Sequence, residues 1–332
     1  MKVIAVVFAA LLVSAQEPAA PASPPEPFEP WLATLMSEAR DRGFDERVIN
    51  QTLSGLEPLP RVVQSDRNQA ELVMTLDRYV SSRVTPATIR RGREMAKTHA
   101  ALLRRLETTY GVPRQYLLAV WGMESRFGRL IGRTPVFQAL ATLAWEPRRS
   151  DFFRAQLFDA MRMVERGDID ASRMTGSWAG AMGQTQFMPS SYLQYAVDFD
   201  SDGHRDIWTS TPDALASIAN YLKGYGWERG LTWGREVRLT DKLRSAIATM
   251  PTRGTGCYAL RTMTSRQSLD AWRRLGATRV NGTALPRGDV EAGMAVVGDR
   301  AFLTYQNYDA ILGYNCAHFY ALSVSMLADE IR

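Results

Sequence analysis

Apolar residues recur three and four positions apart along most of the chain, and charged residues occupy many of the positions between them. This spacing is typical of amphipathic α-helices that bury one face. It predicts helices over residues 31–40, 87–112, 113–128, 136–145, 148–167, 212–227 and 317–332.

Residues 235–310 have a different pattern, in which short apolar and β-branched runs are separated by turn-forming residues. One helix is predicted within this region, at residues 268–277. The short runs predict strands at 235–240, 257–263, 294–299 and 301–308. The fold class expected from the whole chain is therefore α+β and mainly helical.

The first residues have the three parts of a secretory signal: the positive charge of Lys2, an apolar stretch over residues 3–13, and small residues before a cleavage site near Ala15. A membrane anchor is the alternative, but so short an apolar stretch does not span a bilayer. No cysteine follows it, so we expect no lipid attachment. We expect an exported, soluble protein without a membrane anchor, in which the proline-rich residues 16–30 form an extended linker.

The composition is ordinary for a globular protein, with 45% apolar and 23% charged residues among 332. Forty basic and 35 acidic residues give a formal charge of +5, and no long block of like charge occurs. This balance disfavours a nucleic-acid-binding protein and fits an enzyme that works in an anionic neighbourhood.

One glutamate lies within an otherwise apolar stretch, WGMESRFG. On a helix, Glu124 shares its side with Tyr116, Val120 and either Met123 or Phe127. Such neighbours partly desolvate a carboxyl group, which raises its pKa and suits it to act as a general acid. The alternative is an exposed or ion-paired glutamate at the end of a helix.

Residues 176–192 contain no charge and are rich in small residues. Their three glycines allow the backbone to come close to a ligand. Ser177, Gln184 and Gln186 supply neutral hydrogen-bonding groups, and three aromatic residues supply flat apolar surface. This combination suits a sugar ligand, whereas the alternative is a tight contact between helices.

Residues 198–208 resemble the start of a calcium-binding EF-hand loop. Asp198, Asp200 and Asp202 occupy its first, third and fifth positions, a glycine follows, and the backbone carbonyl of His204 falls at the seventh. The alternative is a solvated acidic turn.

The acidic motif departs from an EF-hand at its twelfth position, which is Thr209 and not glutamate. The next acid that could close the site is Asp213, after a longer loop. We therefore predict a calcium site that Asp213 completes.

Cys257 and Cys316 are the only cysteines. In an oxidising compartment they form a disulfide or remain two buried thiols, and the sequence leaves both alternatives open. A disulfide requires that the β region folds against the last helix. The three histidines are dispersed and have no zinc-binding spacing.

Taken together, these stretches resemble the lytic murein transglycosylase B family. Its motifs are matched in order by residues 110–128, 176–204, 219–227 and 314–324. The resemblance extends from about residue 31 to the C-terminus, and the combination of motifs is far more specific than any one of them.

The resemblance implies a lysozyme-like core, a helical N-terminal region and a small β subdomain. We expect a signal peptide at 1–15, a linker at 16–30, a helical domain at 31–110, a catalytic core with the calcium loop at 111–234, a small β subdomain at 235–304, and a C-terminal segment that returns to the core at 305–332.

The resemblance also implies a reaction, the cleavage of the MurNAc–GlcNAc β-1,4 bond of peptidoglycan without water, which leaves a 1,6-anhydromuramyl end. Glu124 then acts first as acid and later as base, and the Ser177 hydroxyl contacts it. Saccharide-binding positions carry over to Gln186, Tyr221, Tyr314, Asn315, Tyr320 and Tyr79. Calcium ligands carry over to Asp198, Asp200, Asp202, Asp213 and the His204 carbonyl.

Glycan strands of peptidoglycan are the expected binding partner, cell-wall synthesis proteins are further candidates, and no organic cofactor is expected. A hydrolytic lysozyme-type muramidase would share the fold and the acid but release a reducing end. A non-catalytic wall-binding module is the alternative from another class. The presence of Glu124, Ser177 and Gln186 argues against such a module, because it does not need to keep an acid.

Overall fold

The computed structural model describes residues 26–67 and 74–332. The predicted signal peptide and residues 16–25 of the predicted linker lie outside the described residues. The first helix begins at Phe28, so the last residues assigned to the linker are helical.

Helices dominate the described chain. The first eight are α1 (Phe28–Asp41), α2 (Glu46–Leu53), α3 (Pro60–Arg67), α4 (Leu76–Arg83), α5 (Pro86–Thr98), α6 (Ala100–Tyr110), α7 (Arg114–Ser125) and α8 (Val136–Trp145). The remainder are α9 (Ser150–Glu165), α10 (Pro189–Tyr195), α11 (Thr211–Gly224), α12 (Asp241–Ala248), α13 (Tyr258–Arg261), α14 (Leu269–Arg274), α15 (Gln306–Tyr314) and α16 (His318–Ile331).

In the part of the chain that the structure describes, six short strands form two antiparallel sheets. Strands β1 (Thr134–Pro135) and β2 (Thr175–Gly176) pair with each other. The larger sheet has the order β3-β6-β5-β4 and contains β3 (Gly234–Val237), β4 (Gln267–Ser268), β5 (Glu291–Val297) and β6 (Arg300–Thr304). The mainly helical α+β class predicted from the sequence is confirmed.

Contacts divide the described chain into two compact units, and the division falls inside α7 and α11. Unit 1 comprises residues 26–67 and 124–218, and unit 2 comprises residues 74–123 and 219–332. The predicted helical region at 31–110 is thus shared between the two units. The domain boundaries expected from the sequence stay a prediction.

In unit 1, α8 packs along α9, and α9 also contacts α2 and α10. Helix α8 is apolar on nearly all sides, which suits a helix in the core, and its residues 139–144 are all buried. Its buried Thr142 is fully hydrogen-bonded, since the hydroxyl donates to the carbonyl of Gln138 at 2.7 Å and accepts from the Leu59 N–H at 2.9 Å. That second bond ties the chain before α3 to the core.

In unit 2, the larger sheet encloses a separate apolar core with α12 and α14. Trp272 of α14 is fully buried there, and its indole N–H donates to the carbonyl of Ala292 at 2.8 Å. Burial of a tryptophan with its polar atom satisfied is strongly stabilising. Helix α16 packs against α4, α5 and α15 in the same unit.

Cys257 and Cys316 form a disulfide in unit 2, with their Cα atoms 6.1 Å apart. Cys257 precedes α13, and Cys316 lies between α15 and α16. Of the two alternatives left open by the sequence, the structure therefore has the disulfide. The bridge fixes the backbone next to Asn315.

The strand predicted at 257–263 is wrong, because these residues form the single helical turn α13. Backbone N–H groups of Arg261 and Thr262 donate to the carbonyls of Cys257 and Tyr258. Four residues are too few for apolar periodicity to separate a helix from a strand. The run at 301–308 is strand only to Thr304, and α15 begins two residues later.

The helix predicted over residues 87–112 is two helices, α5 and α6, which meet at His99. Among the described residues, no helix is both long enough and apolar enough to cross a membrane.

Replacement of both cysteines by alanine is expected to lower the free energy of unfolding by up to about 4 kcal/mol, because the bridge closes a long loop in the unfolded chain. The sequence separation of the two cysteines is 59 residues. Urea unfolding with and without a reductant measures this loss. Reductant should weaken the wild type and leave the double variant unchanged. Two titratable thiols in the unreduced, unfolded protein would contradict the bridge.

Candidate active site and acidic loop

Glu124 is the second-last residue of α7 and is half-buried. The helix ends one residue later, at Ser125, because the three residues that follow have left-handed backbone angles. The angle φ is 50° at Arg126, 59° at Phe127 and 78° at Gly128. The hydroxyl of buried Ser125 accepts a hydrogen bond from the Gly128 N–H at 3.0 Å and so holds this turn.

Two of these three residues are not glycine, and a left-handed conformation costs each of them roughly 1–2 kcal/mol. Backbone strain of this kind is concentrated at functional sites, where the surrounding structure enforces it. Phe127 is 6% exposed, so its packed ring secures the turn directly after Glu124.

The uncharged loop of residues 176–187 folds back on itself in unit 1. Gly176 and Phe187 each form a β-bridge with Met182, and Gly176 also belongs to β2. At three positions a side chain would not fit. A Cβ atom at Gly176 would lie 2.3 Å from the Ala181 carbonyl oxygen. One at Gly180 would lie 2.4 Å from Leu140 Cδ2, and one at Gly183 would lie 2.6 Å from the Ile207 carbonyl oxygen.

Ser177 is 3% exposed, and its hydroxyl oxygen lies in the turn of this loop. It is placed to accept from the backbone N–H groups of Ala179 at 3.3 Å and Ala181 at 3.1 Å. With its acceptor positions occupied in this way, the hydroxyl can make a further contact only by donating its proton.

Gln186 has a left-handed backbone, with φ of 52°, and is 8% exposed. Its side-chain amide donates to the carbonyls of Gly183 at 2.8 Å and Ile131 at 3.3 Å. Its buried Oε1 has no hydrogen-bond partner among the described residues. A buried acceptor without a partner carries a cost of about 1–3 kcal/mol, which a ligand hydroxyl or N–H would remove.

Four tyrosines form a row in unit 2. The ring of Tyr221 stacks on Tyr225 at 4.7 Å and contacts Tyr314 at 4.6 Å, and Tyr314 stacks on Tyr320 at 6.5 Å. The Tyr221 hydroxyl donates to the carbonyl of Gly313 at 2.8 Å. Tyr221 and Tyr320 are buried within the row, so Tyr225 and the partly exposed Tyr314 are the members whose rings could pack against a sugar.

Tyr225 was missed in the sequence, although it lies four residues after Tyr221 and this spacing was the available signal. It is 41% exposed. The Tyr225 ring can take this position because residue 313 is glycine. A Cβ atom at Gly313 would lie 2.2 Å from the ring.

Two other predicted saccharide-binding residues, Asn315 and Tyr79, also lie in unit 2. Asn315 is buried and follows α15, where its carbonyl accepts from the Ala317 N–H at 2.8 Å. Tyr79 of α4 packs its ring 5.6 Å from that of Phe319 in α16.

The predicted site residues are divided between the two units. Unit 1 holds Glu124, Ser177 and Gln186, and unit 2 holds Tyr79, Tyr221, Tyr314, Asn315 and Tyr320. Their roles stay predictions.

The acidic loop brings together four of its predicted metal-ligating residues in unit 1. One carboxylate oxygen from each of Asp198, Asp200, Asp202 and Asp213 lies within 4.8 Å of the others. Oxygens that share a calcium ion at 2.3–2.6 Å are at most about 5 Å apart, so these residues fit that cation. The role of the His204 carbonyl stays a prediction.

Asp213 is fully buried, in contrast to the acidic residues at the start of the loop. Burial raises the pKa of Asp213, and the negative charge of Asp200 raises the pKa further. Hydrogen bonds from the backbone N–H groups of Phe199 and Asp206 oppose this rise. Those N–H groups donate at 2.8 and 2.9 Å. Asp213 therefore organises the loop backbone while it faces the acidic cluster.

Thr209 does not face the cluster in the way that the twelfth residue of an EF-hand would. Its N–H and hydroxyl both bond to the Asp206 carboxylate. Sequence analysis missed Ser210, whose hydroxyl donates to Asp200 Oδ2 at 2.7 Å. A serine three residues before Asp213 was the signal that could have identified it.

Residues 27–329 match the profile of the family described as transglycosylase SLT domain. Membrane-bound lytic murein transglycosylase B of Escherichia coli (strain K12) is 37% identical over 198 residues, which are 57% of this chain. The aligned part spans 55% of that relative, or about half its length.

Two solved structures resemble this one over nearly the whole chain. SltB3 from Pseudomonas aeruginosa in complex with NAG-anhNAM-pentapeptide has a TM-score of 0.81 and 41% identity, over 92% of this chain and 79% of that chain. Escherichia coli lytic transglycosylase Slt35 in complex with calcium has a TM-score of 0.75 and 29% identity, over 91% and 92%. The predicted lysozyme-like fold is confirmed by this similarity.

Gly132→Ala is expected to destabilise the protein more than Gly167→Ala. Both residues have left-handed backbone angles, but a Cβ atom at Gly132 would lie 2.0 Å from the Gly176 carbonyl oxygen, whereas nothing lies within 4 Å at Gly167. Gly167→Ala should cost about 1–2 kcal/mol, and Gly132→Ala a further 1–3 kcal/mol approximately. Equal losses in urea unfolding would contradict the close packing at the loop.

Proposed function

We propose that this chain, which belongs to the transglycosylase SLT domain family, is a lytic transglycosylase that cleaves the MurNAc–GlcNAc β-1,4 bond of peptidoglycan. The observation that carries the proposal is the presence, in one unit, of a half-buried glutamate at a helix end and a loop of uncharged hydrogen-bonding groups. The similarity to a structure that contains a peptidoglycan fragment supports it.

Glu124 is the general acid. It lies at the C-terminal end of α7, where the helix dipole disfavours a negative charge, so the neutral form that can donate a proton is favoured. The carboxyl group protonates the glycosidic oxygen as the bond to the muramyl C1 breaks.

Ser177 positions Glu124 in this proposal. Its oxygen is placed to accept from two backbone N–H groups, so its proton is the part left to donate. A donated hydrogen bond holds the carboxyl oxygen that does not carry the proton. The Gln186 Oε1, buried without a partner among the described residues, accepts from a hydroxyl or amide of the glycan.

The same glutamate completes the reaction as a base. After it has lost its proton, the Glu124 carboxylate accepts the proton of the muramyl 6-hydroxyl, whose oxygen attacks C1 of its own ring. Because this attack is intramolecular, it avoids the loss of translational and rotational entropy that the binding of a second molecule would require. The product is a 1,6-anhydromuramyl end, and no second carboxylate is required as nucleophile.

The tyrosines of unit 2 contribute binding surface. Tyr221, Tyr314 and Tyr320 present stacked and tilted rings, and Asn315 and Tyr79 supply polar and aromatic groups near the same helices. We propose that these side chains hold the sugars of the glycan strand, and that strands bearing peptides are substrates. The pentapeptide carried by the fragment in the SltB3 complex supports this substrate.

We place the protein in the periplasm. The secretory signal expected at residues 1–15 would export it. The disulfide between Cys257 and Cys316 fits an oxidising compartment.

The acidic loop holds calcium in a structural role. Asp198, Asp200, Asp202 and Asp213 would be its carboxylate ligands, with the His204 carbonyl as a further one. The charge of the ion would offset the mutual repulsion of four carboxylates. The similarity to Slt35 in complex with calcium supports this assignment.

Glu124→Gln should leave the fold intact and lower turnover by about 10²–10⁴-fold, because glutamine neither gives nor takes the proton. Glu291→Gln, at an exposed position of β5, is the matched control and should retain full activity. Mass spectrometry of muropeptides released from purified sacculi measures both rate and product. Comparable release by Glu124→Gln would refute the role of Glu124, and reducing ends from the wild type would make the protein a hydrolase.

Calcium at about 100 times its Kd should raise the free energy of unfolding by about 2.7 kcal/mol through preferential binding to the folded state. Asp202→Asn should abolish most of this gain because it removes one negative ligand, whereas Asp289→Asn, at an exposed position outside the loop, should keep it. Calorimetric titration and melting curves are the measurements. An unchanged melting curve after chelation, with no heat of binding, would identify an ordinary acidic turn.

A further inference from the structure

Unit 1 contains a cavity of about 470 Å³ beside the acidic loop. Its wall includes Ile131, Arg173, Thr175, His204 and Trp208. Cavities between about 300 and 1,000 Å³ are the usual size for small ligands, so a few residues of a peptide fit here. The cavity borders the proposed calcium site, because Asp202 and His204 belong to its wall, whereas Glu124 does not line it.

The cavity shares its wall with the uncharged loop of residues 176–187. The indole N–H of Trp208 donates to the Thr175 carbonyl at 2.8 Å, and the Gln184 side chain donates to the Trp208 carbonyl at 3.2 Å. On another side, the carbonyl of Ile131 accepts from the Gln186 side chain. A ligand in the cavity would therefore lie next to the groups proposed to hold the glycan.

The acidic residues of the cavity wall already have donors. Asp168 accepts two bonds of 2.6 Å from Arg205. Asp206 accepts from the N–H groups of Trp208 and Thr209 at 2.8 and 2.9 Å. Asp202 accepts from the His204 N–H and belongs to the acidic cluster. The charge of Asp168 is therefore balanced by Arg205, and the charge of Asp202 would face the proposed calcium ion.

Arg173 is different. Its side chain is exposed, lines the cavity, and forms no hydrogen bond or ion pair with any other described residue. A planar guanidinium with all of its donors available can bind a carboxylate through two parallel hydrogen bonds. The largely buried indole of Trp208 and the side chain of Ile169 supply apolar surface beside it.

We propose that this cavity binds a carboxylate of the peptide attached to the glycan, with Arg173 as its partner and Trp208 packed against the peptide. The proposal rests on the proposed function, because it assumes a peptide-bearing glycan as substrate. Arg173 would thus make the enzyme prefer peptide-substituted strands over bare ones.

Binding of an uncleaved fragment tests the proposal. The probes are the disaccharide GlcNAc–anhydroMurNAc bearing a pentapeptide, the same compound with its peptide carboxylates amidated, and the disaccharide alone. Each is titrated calorimetrically into the wild type, Arg173→Ala, Arg173→Lys and Arg166→Ala. Arg166 is an exposed arginine directly after α9 that does not line the cavity.

The peptide-bearing probe should bind Arg173→Ala about tenfold more weakly than it binds the wild type, since a charge-assisted hydrogen bond is lost. Arg173→Lys should recover part of the loss, and Arg166→Ala should have no effect. The amidated probe and the bare disaccharide should bind all four proteins alike.

Equal affinity of the peptide-bearing probe for the wild type and Arg173→Ala would overturn the proposal, as would an equal loss for the bare disaccharide. The proposed function fails by a different result, the release of reducing ends from sacculi by the wild type. These probes are not cleaved, so the binding comparison stays decisive in that case.

Discussion

The loop of residues 176–187 can fold as it does only because its glycines carry no side chain. Backbone oxygens of Ala181 and Ile207 and the Leu140 side chain occupy the space that Cβ atoms at Gly176, Gly180 and Gly183 would need. The close approach lets the Ser177 hydroxyl and the Gln186 amide bond to the loop backbone. It leaves the Ser177 proton and the Gln186 Oε1 for other partners, and the function proposed for unit 1 depends on these two groups.

Uncharged groups in this loop fit the chemistry of a neutral acid. A buried positive charge near Glu124 would favour its ionised form and work against proton donation. Hydroxyl and amide groups can orient a carboxyl group and a sugar without that penalty. Four carboxylates of unit 1 lie instead together in the loop that ends at Asp213. This separation would allow one unit to contain both the proposed proton donor and the proposed cation site.

Periodicity in the sequence predicted most of the long helices, although it merged α5 and α6 into one. The apolar spacing of residues 136–145 gives α8 with the same ends, and α9, α14 and α16 lie where their patterns indicated. Short elements were less predictable. The turn of α13 is too short for a pattern, and α10 contains proline, two serines and two tyrosines that carry no clear apolar face.

The residue types of the site could be identified from the sequence, but the geometry of the site could not. Asp213 was identified because an acid was needed to close the loop, and its carboxylate does lie with the other three. The left-handed turn at Arg126 and Phe127 could not be foreseen, since neither is glycine and the conformation is held by packing and by the bond from Gly128 to Ser125. The stacking of Tyr225 and the cavity beside Arg173 likewise depend on tertiary contacts that residue types do not encode.

The fate of the anomeric carbon tests the central claim most directly. Sacculi are digested by the wild type in water enriched in a heavy oxygen isotope, and the released muropeptides are weighed by mass spectrometry. Intramolecular attack by the 6-hydroxyl predicts anhydromuropeptides that contain none of the heavy isotope. Reducing-end products that carry one heavy oxygen would mean that water attacks C1, and would contradict the reaction assigned to Glu124.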